Sequence, residues 1–400
     1  MKIKDRPGFP LAVVSVAHTL NDLYSNFLPQ LLPFLLFLMP GFTATQAAIL
    51  VAAFNISSSL FQPVFGFMVD AKGRSWLIYV GTLWMAIFLS LTGVVHSHVL
   101  MLILAGIAGL GTAAFHPPAS SLVHGLNARH KAVFQSIFVS SGNFGFALAP
   151  LLLVPLFQAW GLGASLFLLI PGVITALLLY FSLPRLRANT GKSYELSAVW
   201  KSIVKARREL GVILGVIALR SAAYTGLLAL LPLYFHFKGL SEADTGWLMG
   251  LMLFTGALGG LLGGWLSDSW GRKFLISASL ILATPLFLGF LFTSGTLSVV
   301  LLALAGAALL ANFSVTIVAA QETIPEHKAM AAGLSLGFAN GIGALAVIGI
   351  GGLGDRWGLL SAVVLLVSLP FLAGILGFFL RNHPSDRKGR ESGTRNQTDS

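Results

Sequence analysis

Long apolar segments dominate this chain of 400 residues and recur along its whole length. Each runs for roughly 20–28 residues, which is enough for an α-helix to cross a bilayer. Because backbone polar groups in lipid must be bonded internally, the segments predict helices; β-barrel strands would be shorter and alternating. Composition agrees, since 56% of the residues are hydrophobic and 10% are charged. The twelve predicted spans are 11–38, 45–69, 75–96, 99–124, 132–156, 162–183, 210–236, 244–267, 274–293, 296–322, 329–352 and 359–380.

Positive charges lie mainly between the spans. If the N-terminus is cytoplasmic, every Lys and Arg falls on that side except Lys238, Arg356 and Arg220, and Arg220 lies inside a span. Positive charge in short loops marks the cytoplasmic side, so both termini are expected inside. We therefore interpret the net charge of +11 as a topology signal, and we expect no nucleic-acid partner. The basic N-terminus is expected to precede a retained first span, because its apolar stretch is too long for a signal peptide.

The chain consists of two related halves. The segment 66–74 (GFMVDAKGR) is echoed by 264–272 (GWLSDSWGR) 198 residues later, and Asn143 is echoed by Asn340 at an offset of 197. Halves related in this way place a substrate cavity at their interface, near the membrane midplane. The predicted organisation is a first six-helix half at 1–183, a cytoplasmic linker at 184–209, a second half at 210–382 and a disordered tail at 383–400.

The twelve spans, the central linker and the paired G-x-x-x-D-x-x-G-R segments resemble the major facilitator superfamily over nearly the whole chain. Finer motifs resemble its fosmidomycin-resistance branch: His18-Thr-Leu-Asn21-Asp22, Phe115-His116-Pro117, Gly142-Asn143-Phe144-Gly145 and Ala320-Gln321-Glu322. The resemblance implies an all-α integral membrane fold of two pseudo-symmetric six-helix bundles. It also implies a monomer that exports small molecules, including a phosphonate antibiotic, against protons. In span 4 the chain departs from the family pattern, with Pro118 where that pattern has Glu.

Charged side chains inside the spans are the candidate coupling residues, because a charge at membrane depth is costly and usually functional. His18 and Asp22 are four residues apart and share a helix face. At the offset of 198, Asp22 corresponds to Arg220 of span 7. We therefore predict that Asp22, His18 and Arg220 couple transport to protons, with the distance to Arg220 switching Asp22 between releasing and accepting a proton. The alternative is a static pair that joins spans 1 and 7.

Other polar side chains in the spans are predicted to line the substrate cavity. His116 can relay protons or bind an anion, or else be a neutral histidine bonded to a neighbouring helix. Glu322 could equally be solvated at the membrane interface, and the two asparagines of the repeat could join helices. Arg220 and the histidines favour an anionic or zwitterionic substrate. The predicted cavity residues are Asn21, Tyr24, His116, Asn143, Gln321, Glu322 and Asn340.

The two repeated segments are predicted to be gating loops, with topology-setting turns as the alternative. Their glycines permit close helix approach and a tight turn. Their aspartates can accept from backbone donors at a helix N-terminus, and their arginines can pair with acids or lipid phosphates. The predicted loop residues are Gly66, Asp70, Gly73, Arg74, Gly264, Asp268, Gly271 and Arg272.

Transport by a secondary, gradient-driven mechanism is the leading functional prediction, since no G-x-x-x-x-G-K-[ST] motif is present. We expect proton-coupled efflux of a small anionic or amphipathic drug or metabolite by alternating access, in a bacterial inner membrane. An importer or facilitator is the alternative, because alternating access is reversible. An intramembrane enzyme is remote, without H-E-x-x-H or cysteine. No cofactor and no metal are expected, and the expected partners are substrate, protons and lipids.

Overall fold

The computed structural model describes residues 7–39, 44–183 and 196–381, and these ranges form helices without a β-strand. Ten of the helical segments in them are long and apolar enough to cross a membrane. Trp76–Thr92 is a shorter apolar helix of 17 residues. The predicted all-α membrane architecture is confirmed. The predicted tail at 383–400 and residues 184–195 of the predicted linker lie outside the described residues.

The helices follow the predicted spans in order. A 3₁₀ segment, Leu162–Leu168, leads into α8, and a π-helical segment, Leu334–Ala339, joins α14 to α15. The α-helices are α1 (Gly8–Ser25), α2 (Phe27–Leu38), α3 (Ala44–Leu60), α4 (Gln62–Lys72), α5 (Trp76–Thr92), α6 (His98–Leu126), α7 (Lys131–Trp160), α8 (Leu169–Ser182), α9 (Leu196–Phe237), α10 (Glu242–Trp270), α11 (Arg272–Phe292), α12 (Gly295–Leu310), α13 (Phe313–Thr323), α14 (Lys328–Gly333), α15 (Asn340–Trp357) and α16 (Leu359–Gly377).

Several predicted spans consist of two consecutive helices. The first span is interrupted at Asn26, between α1 and α2, and the second at Phe61, between α3 and α4. At the second interruption a proline occupies the first turn of α4, where its missing N–H costs no helical hydrogen bond. Elsewhere a single helix extends beyond its predicted span. Residues 196–209 of the predicted linker form the beginning of α9, which continues into the seventh span.

By its internal contacts the chain divides into two units whose boundaries differ from the predicted halves. Unit 1 comprises Met1–Ala128, Ile137–Glu195 and Pro325–Phe338, and unit 2 comprises Arg129–Ser136, Leu196–Ile324 and Ala339–Ser400. Each unit therefore includes a short segment from the other half of the sequence. Periodicity and composition carry no signal for this exchange, because it depends on contacts between residues far apart in the chain.

Small residues bring the helices of each unit close together, as expected where lipid supplies no hydrophobic driving force between helices. In unit 1, α5 meets α6 at Gly81 and Gly111, where a Cβ on either would lie 2.7 Å from the carbonyl oxygen of the other. In unit 2, α10 meets α12 at Gly259, where a Cβ would lie 2.1 Å from Ala307 O. These contacts fix α6 and α10, two of the helices that carry the polar side chains described next.

Candidate functional site

Side chains of α1 bond to backbone carbonyl groups of α7 in unit 1. Gly145 allows the two helices to touch, because a Cβ there would overlap the Thr19 carbonyl at 1.8 Å. The C-terminal part of α1 and the residue that follows it are therefore held against α7. The contacts are His18 Nδ1 to Phe138 O (2.6 Å), Thr19 Oγ1 to Ser141 O (2.9 Å) and Asn26 Nδ2 to Phe146 O (2.9 Å).

Asp22 lies on this face between two histidines. Its Oδ2 is 3.4 Å from Nε2 of His18, one turn earlier on α1. Its Oδ1 is 3.2 Å from Nε2 of His116, which α6 contributes. The histidine side chains are buried and that of Asp22 is 20% exposed. We call His18, Asp22 and His116 the triad.

The second nitrogen of each histidine determines the tautomer. His18 Nδ1 faces Phe138 O, and His116 Nδ1 faces Thr112 O at 2.9 Å. A carbonyl oxygen only accepts, so both Nδ1 atoms carry hydrogen. Each Nε2 then presents to Asp22 either a lone pair or the proton of an imidazolium. With both histidines neutral and Asp22 ionised, lone pairs would face the carboxylate on both sides, so the triad requires at least one added proton for a hydrogen bond.

Aromatic and small residues complete the surroundings of the triad. The Phe138 ring stacks on that of His18, with centroids 4.0 Å apart and planes inclined by 20°. Gly142 faces the triad from α7, and a Cβ there would lie 2.3 Å from Asp22 Oδ2. Gly142 belongs to a motif noted in the sequence, but neither its part in the site nor that of Phe138 was predicted. Only the pairing of His18 with Asp22 was evident from spacing.

The triad is also a group of three side chains that could hold a metal ion, because its potential ligand atoms all lie within 4.8 Å of one another. The net charge of the triad favours a bound proton over a bound metal ion. One proton shared with a single carboxylate leaves the triad neutral, whereas a divalent cation would leave a net positive charge in a buried site, which is costly. The donor set admits a transition metal, so a chelator control belongs in any functional test.

Arg220 lies in unit 2 and has its own set of contacts. It is 2% exposed. Its Nη2 donates to Asn340 Oδ1 at 3.1 Å, and its guanidinium carbon lies 4.1 Å from the centre of the Phe313 ring. Ser221 Oγ donates to the backbone oxygen of Asn340 at 3.0 Å. The described partners of Arg220 and of Asp22 thus belong to different units, and their coupling stays a prediction. Phe313 and Ser221 were not predicted.

Two of the residues predicted to line a cavity are buried among the helices of unit 1. Tyr24 is fully buried in the apolar core of unit 1, and its hydroxyl donates to Leu168 O. It lies two residues from Asp22, which is about 200° around the helix and hence on another face. Asn21 is buried and donates to Ala17 O and to Thr82 Oγ1.

The remaining predicted cavity residues differ in exposure. Gln321 is fully buried. Asn143 is half-buried on the second part of α7. Glu322 is buried in an ion network and is not solvated at the interface, while its place in a cavity stays a prediction. Nε of Arg272 donates to it at 2.6 Å, and Nζ of Lys131 at 3.1 Å. The network binds Glu322 to the second of the two repeated turns.

The repeated turns make matching contacts. Asp70 accepts from the backbone N–H of Ala329 and Met330, at 3.1 and 2.8 Å, at the beginning of α14 in unit 1. Asp268 accepts from the corresponding groups of Ala132 and Val133, at 3.4 and 3.2 Å, at the beginning of α7 in unit 2. A carboxylate at a helix N-terminus satisfies N–H groups that have no partner within the helix and interacts favourably with the helix dipole.

The glycines of these turns meet the predicted requirements. Gly66 leaves room for the backbone of α14, since a Cβ would lie 2.4 Å from Ala329 O. Gly264 does the same for α7, where a Cβ would lie 2.7 Å from Ala132 O. Gly73 and Gly271 have φ angles of 60° and 97°, in the left-handed region that favours glycine.

One segment matches the G-x-S-x-G spacing of a hydrolase nucleophile: residues 333–337 read GLSLG. The spacing has a packing origin here. Gly333 and Gly337 pack against α4 and α3. A Cβ on Gly333 would lie 2.5 Å from Gln62 O, and a Cβ on Gly337 would lie 2.5 Å from Ser59 O. The segment is helical, whereas a nucleophile elbow joins a strand to a helix.

Comparison with known proteins gives matches over nearly the whole chain. A family model described as Major Facilitator Superfamily matches residues 12–346 and 238–398. An uncharacterised MFS-type transporter of Bacillus subtilis, YfnC, is 33% identical over 409 residues, covering 98% of this chain and 97% of that protein. The fosmidomycin resistance protein of Escherichia coli is 28% identical over 391 residues, covering 92% of each. The solved structure of FucP, a transporter of the same superfamily in the outward conformation, matches with a TM-score of 0.76 at 16% identity. It covers 95% of this chain and 98% of that one, a likeness of fold.

Proposed function

Because the chain belongs to the major facilitator superfamily, an integral membrane family of transporters and not of enzymes, we propose that it is a proton-coupled secondary transporter. The proton-binding site of this proposal is the triad, His18, Asp22 and His116. The substrate is a small molecule that crosses by alternating access. As in the predicted topology, the transporter resides in a bacterial inner membrane with both termini in the cytoplasm, and it acts as a monomer.

The observation that carries the proposal is the pair of contacts that the Nε2 atoms of His18 and His116 make with the carboxylate of Asp22. Both histidines are fixed by backbone carbonyl groups as Nδ1–H tautomers. The contacts of 3.4 and 3.2 Å to Asp22 become hydrogen bonds only when protons are added. A proton on the triad is then stabilised by charge-assisted hydrogen bonds. Its loss leaves a carboxylate facing lone pairs, which favours a rearrangement of the site. Such a protonation-dependent preference for one conformation is what coupling requires.

Efflux in exchange for protons is the proposed direction. It is supported by similarity to the fosmidomycin resistance protein at 28% identity, and by the matching motifs around Asp22, His116 and Gly142. An importer or facilitator is the second candidate, since alternating access itself sets no direction.

The test is the pH change inside proteoliposomes containing the purified protein, loaded with fosmidomycin and diluted into medium without it. Exchange acidifies the interior as the compound leaves, whereas symport makes the interior alkaline. Asp22→Asn keeps an amide that can donate to a neutral histidine, so the fold should persist while the proton site is lost. The substrate-driven pH change should therefore disappear in this variant.

The matched control is Asp244→Asn, which changes an exposed carboxyl at the beginning of α10 that accepts from Ser241. It should behave as wild type, and a chelator should change nothing in either protein. Transport by wild type without any proton movement would reject the coupling proposal and favour a facilitator. Loss of activity on chelation would show that a metal acts at the triad.

A further inference from the structure

Arg220 is a buried charge whose electrostatic balance is incomplete among the described residues of unit 2. No carboxylate of that part of the unit forms an ion pair with it. Its Nη2 has Asn340 as an acceptor, but its Nη1 is buried without a hydrogen-bond partner in the described structure. A guanidinium remains charged in proteins, so it cannot relieve this cost by losing a proton.

Among the described residues, one edge of the Arg220 guanidinium has no hydrogen-bond acceptor. Phe313 covers one face of its plane, at 4.1 Å from the guanidinium carbon. Asn340 occupies one terminal nitrogen and is itself fixed by the hydroxyl of Ser221. The remaining terminal nitrogen, Nη1, is therefore held in a defined orientation. Asn340 and Phe313, which both contact the guanidinium, are themselves only half-buried.

The geometry points to Arg220, with Asn340 and Phe313, as an anion-binding subsite for the carboxylate or phosphonate group of a small organic substrate. An oxygen of that group accepts from Nη1 and supplies the negative charge that the described part of the unit does not place beside Arg220. Planar guanidinium donors suit carboxylate and phosphonate oxygens. The Phe313 ring adds a surface against which an apolar part of the same substrate can pack. That the bound anion is transported rests on the proposed function, whereas its binding at Arg220 does not.

The test is the thermal unfolding of the purified full-length protein with benzoate, phenylphosphonate or uncharged benzamide, each against sodium chloride at equal ionic strength. Wild type should be stabilised saturably by the two anions and not by benzamide. Arg220→Gln should weaken the apparent affinity for the anions on the order of tenfold or more, which corresponds to about 1.4 kcal/mol or more. The exposed Arg207→Gln is the matched control and should bind as wild type.

Asn340→Asp provides a second test that does not remove the buried charge. A carboxylate at this position would neutralise Arg220 from within the unit. The variant should unfold at a higher temperature than wild type without ligand and should lose its response to the anions. If Arg220 has only a structural role, the anions should not stabilise wild type in the first place, and that result would overturn the inference.

Two further outcomes separate this inference from the proposed function. Sodium chloride giving the whole stabilisation would assign the site to an inorganic anion and reject an organic substrate. Asp22→Asn should keep the response to benzoate and phenylphosphonate. If those anions bind at Arg220 while wild type transports fosmidomycin without moving protons, the proton proposal fails and the subsite stands. If wild type shows proton-coupled transport but binds none of the anions, the proposed function stands and the anion-binding subsite is rejected.

Discussion

The two repeated turns, 66–74 and 264–272, make the same backbone contact but differ in their charged partners. In both, an aspartate accepts from two consecutive N–H groups at the beginning of a helix. In the second turn, Arg272 also bonds to Asp268 at 3.2 Å and to Glu322. In the first turn, the described part of unit 1 shows no ion pair for Arg74.

The sequence explains this difference. The residue 197 positions before Glu322 is Gly125, so the first half has no acid at the corresponding position. Both turns have the hydrogen bonds from a helix N-terminus to the aspartate. Among the described residues, only the second turn has the ion network. We infer that the two turns contribute unequally to stability, and that the aspartate contact alone is sufficient to bring the helix to the turn.

The largest expected effect is that of Glu322→Gln. It removes the acid that balances Arg272 and Lys131, and Arg272 is only 5% exposed. Breaking a buried ion pair by removing one partner costs about 3–5 kcal/mol. Thermal unfolding in detergent should show a large loss of stability. A loss as small as that of an exposed substitution would contradict the claim that this network stabilises unit 2.

The next effect is that of Asp70→Asn, which replaces one of two acceptor oxygens by a donor facing a backbone N–H. Hydrogen bonds to a charged group contribute about 1.5–3 kcal/mol. Asp268→Asn should cost more, because it also removes a partner of Arg272. Equal losses of unfolding free energy in the two variants would remove the distinction between the turns.

Gly66→Ala tests the close approach at the first turn. The added Cβ would meet backbone atoms of Ala329 and Met330 at 2.4 and 2.6 Å, which no side-chain rotation can relieve. Overpacking of this kind costs about 1–3 kcal/mol. Gly250→Ala on α10 is the control, since nothing lies within 4 Å of its Cβ position. Similar unfolding temperatures for the two variants would show that the helices are less closely packed than described.

The smallest effect should come from Arg74→Gln. Without an ion pair among the described residues, its loss should change the free energy of unfolding by about 0.5 kcal/mol or less. Arg272→Gln, measured in the same way, should be far more destabilising. If the two arginine variants lose the same stability, Arg74 has a partner equivalent to Glu322 and the comparison fails.

The spans, the repeat and the contacts within one helix were predictable from the sequence. Apolar length gives the spans, and four-residue spacing places His18 beside Asp22. His116 was predicted to line the cavity and to relay protons or bind an anion, but its contact with Asp22 was not predicted because it joins residues 94 positions apart. For the same reason the partners of Glu322 could not be inferred. Segment 325–338 joins unit 1 through long-range contacts such as Asp70 with Ala329.

The most direct test of the central claim is infrared difference spectroscopy of the purified protein between acid and alkaline pH, because it detects protonation of carboxyl and imidazole groups without a substrate. The account predicts a titrating signal in wild type that Asp22→Asn removes and Asp244→Asn preserves. Identical difference spectra for wild type and Asp22→Asn would contradict the assignment of proton binding to the triad.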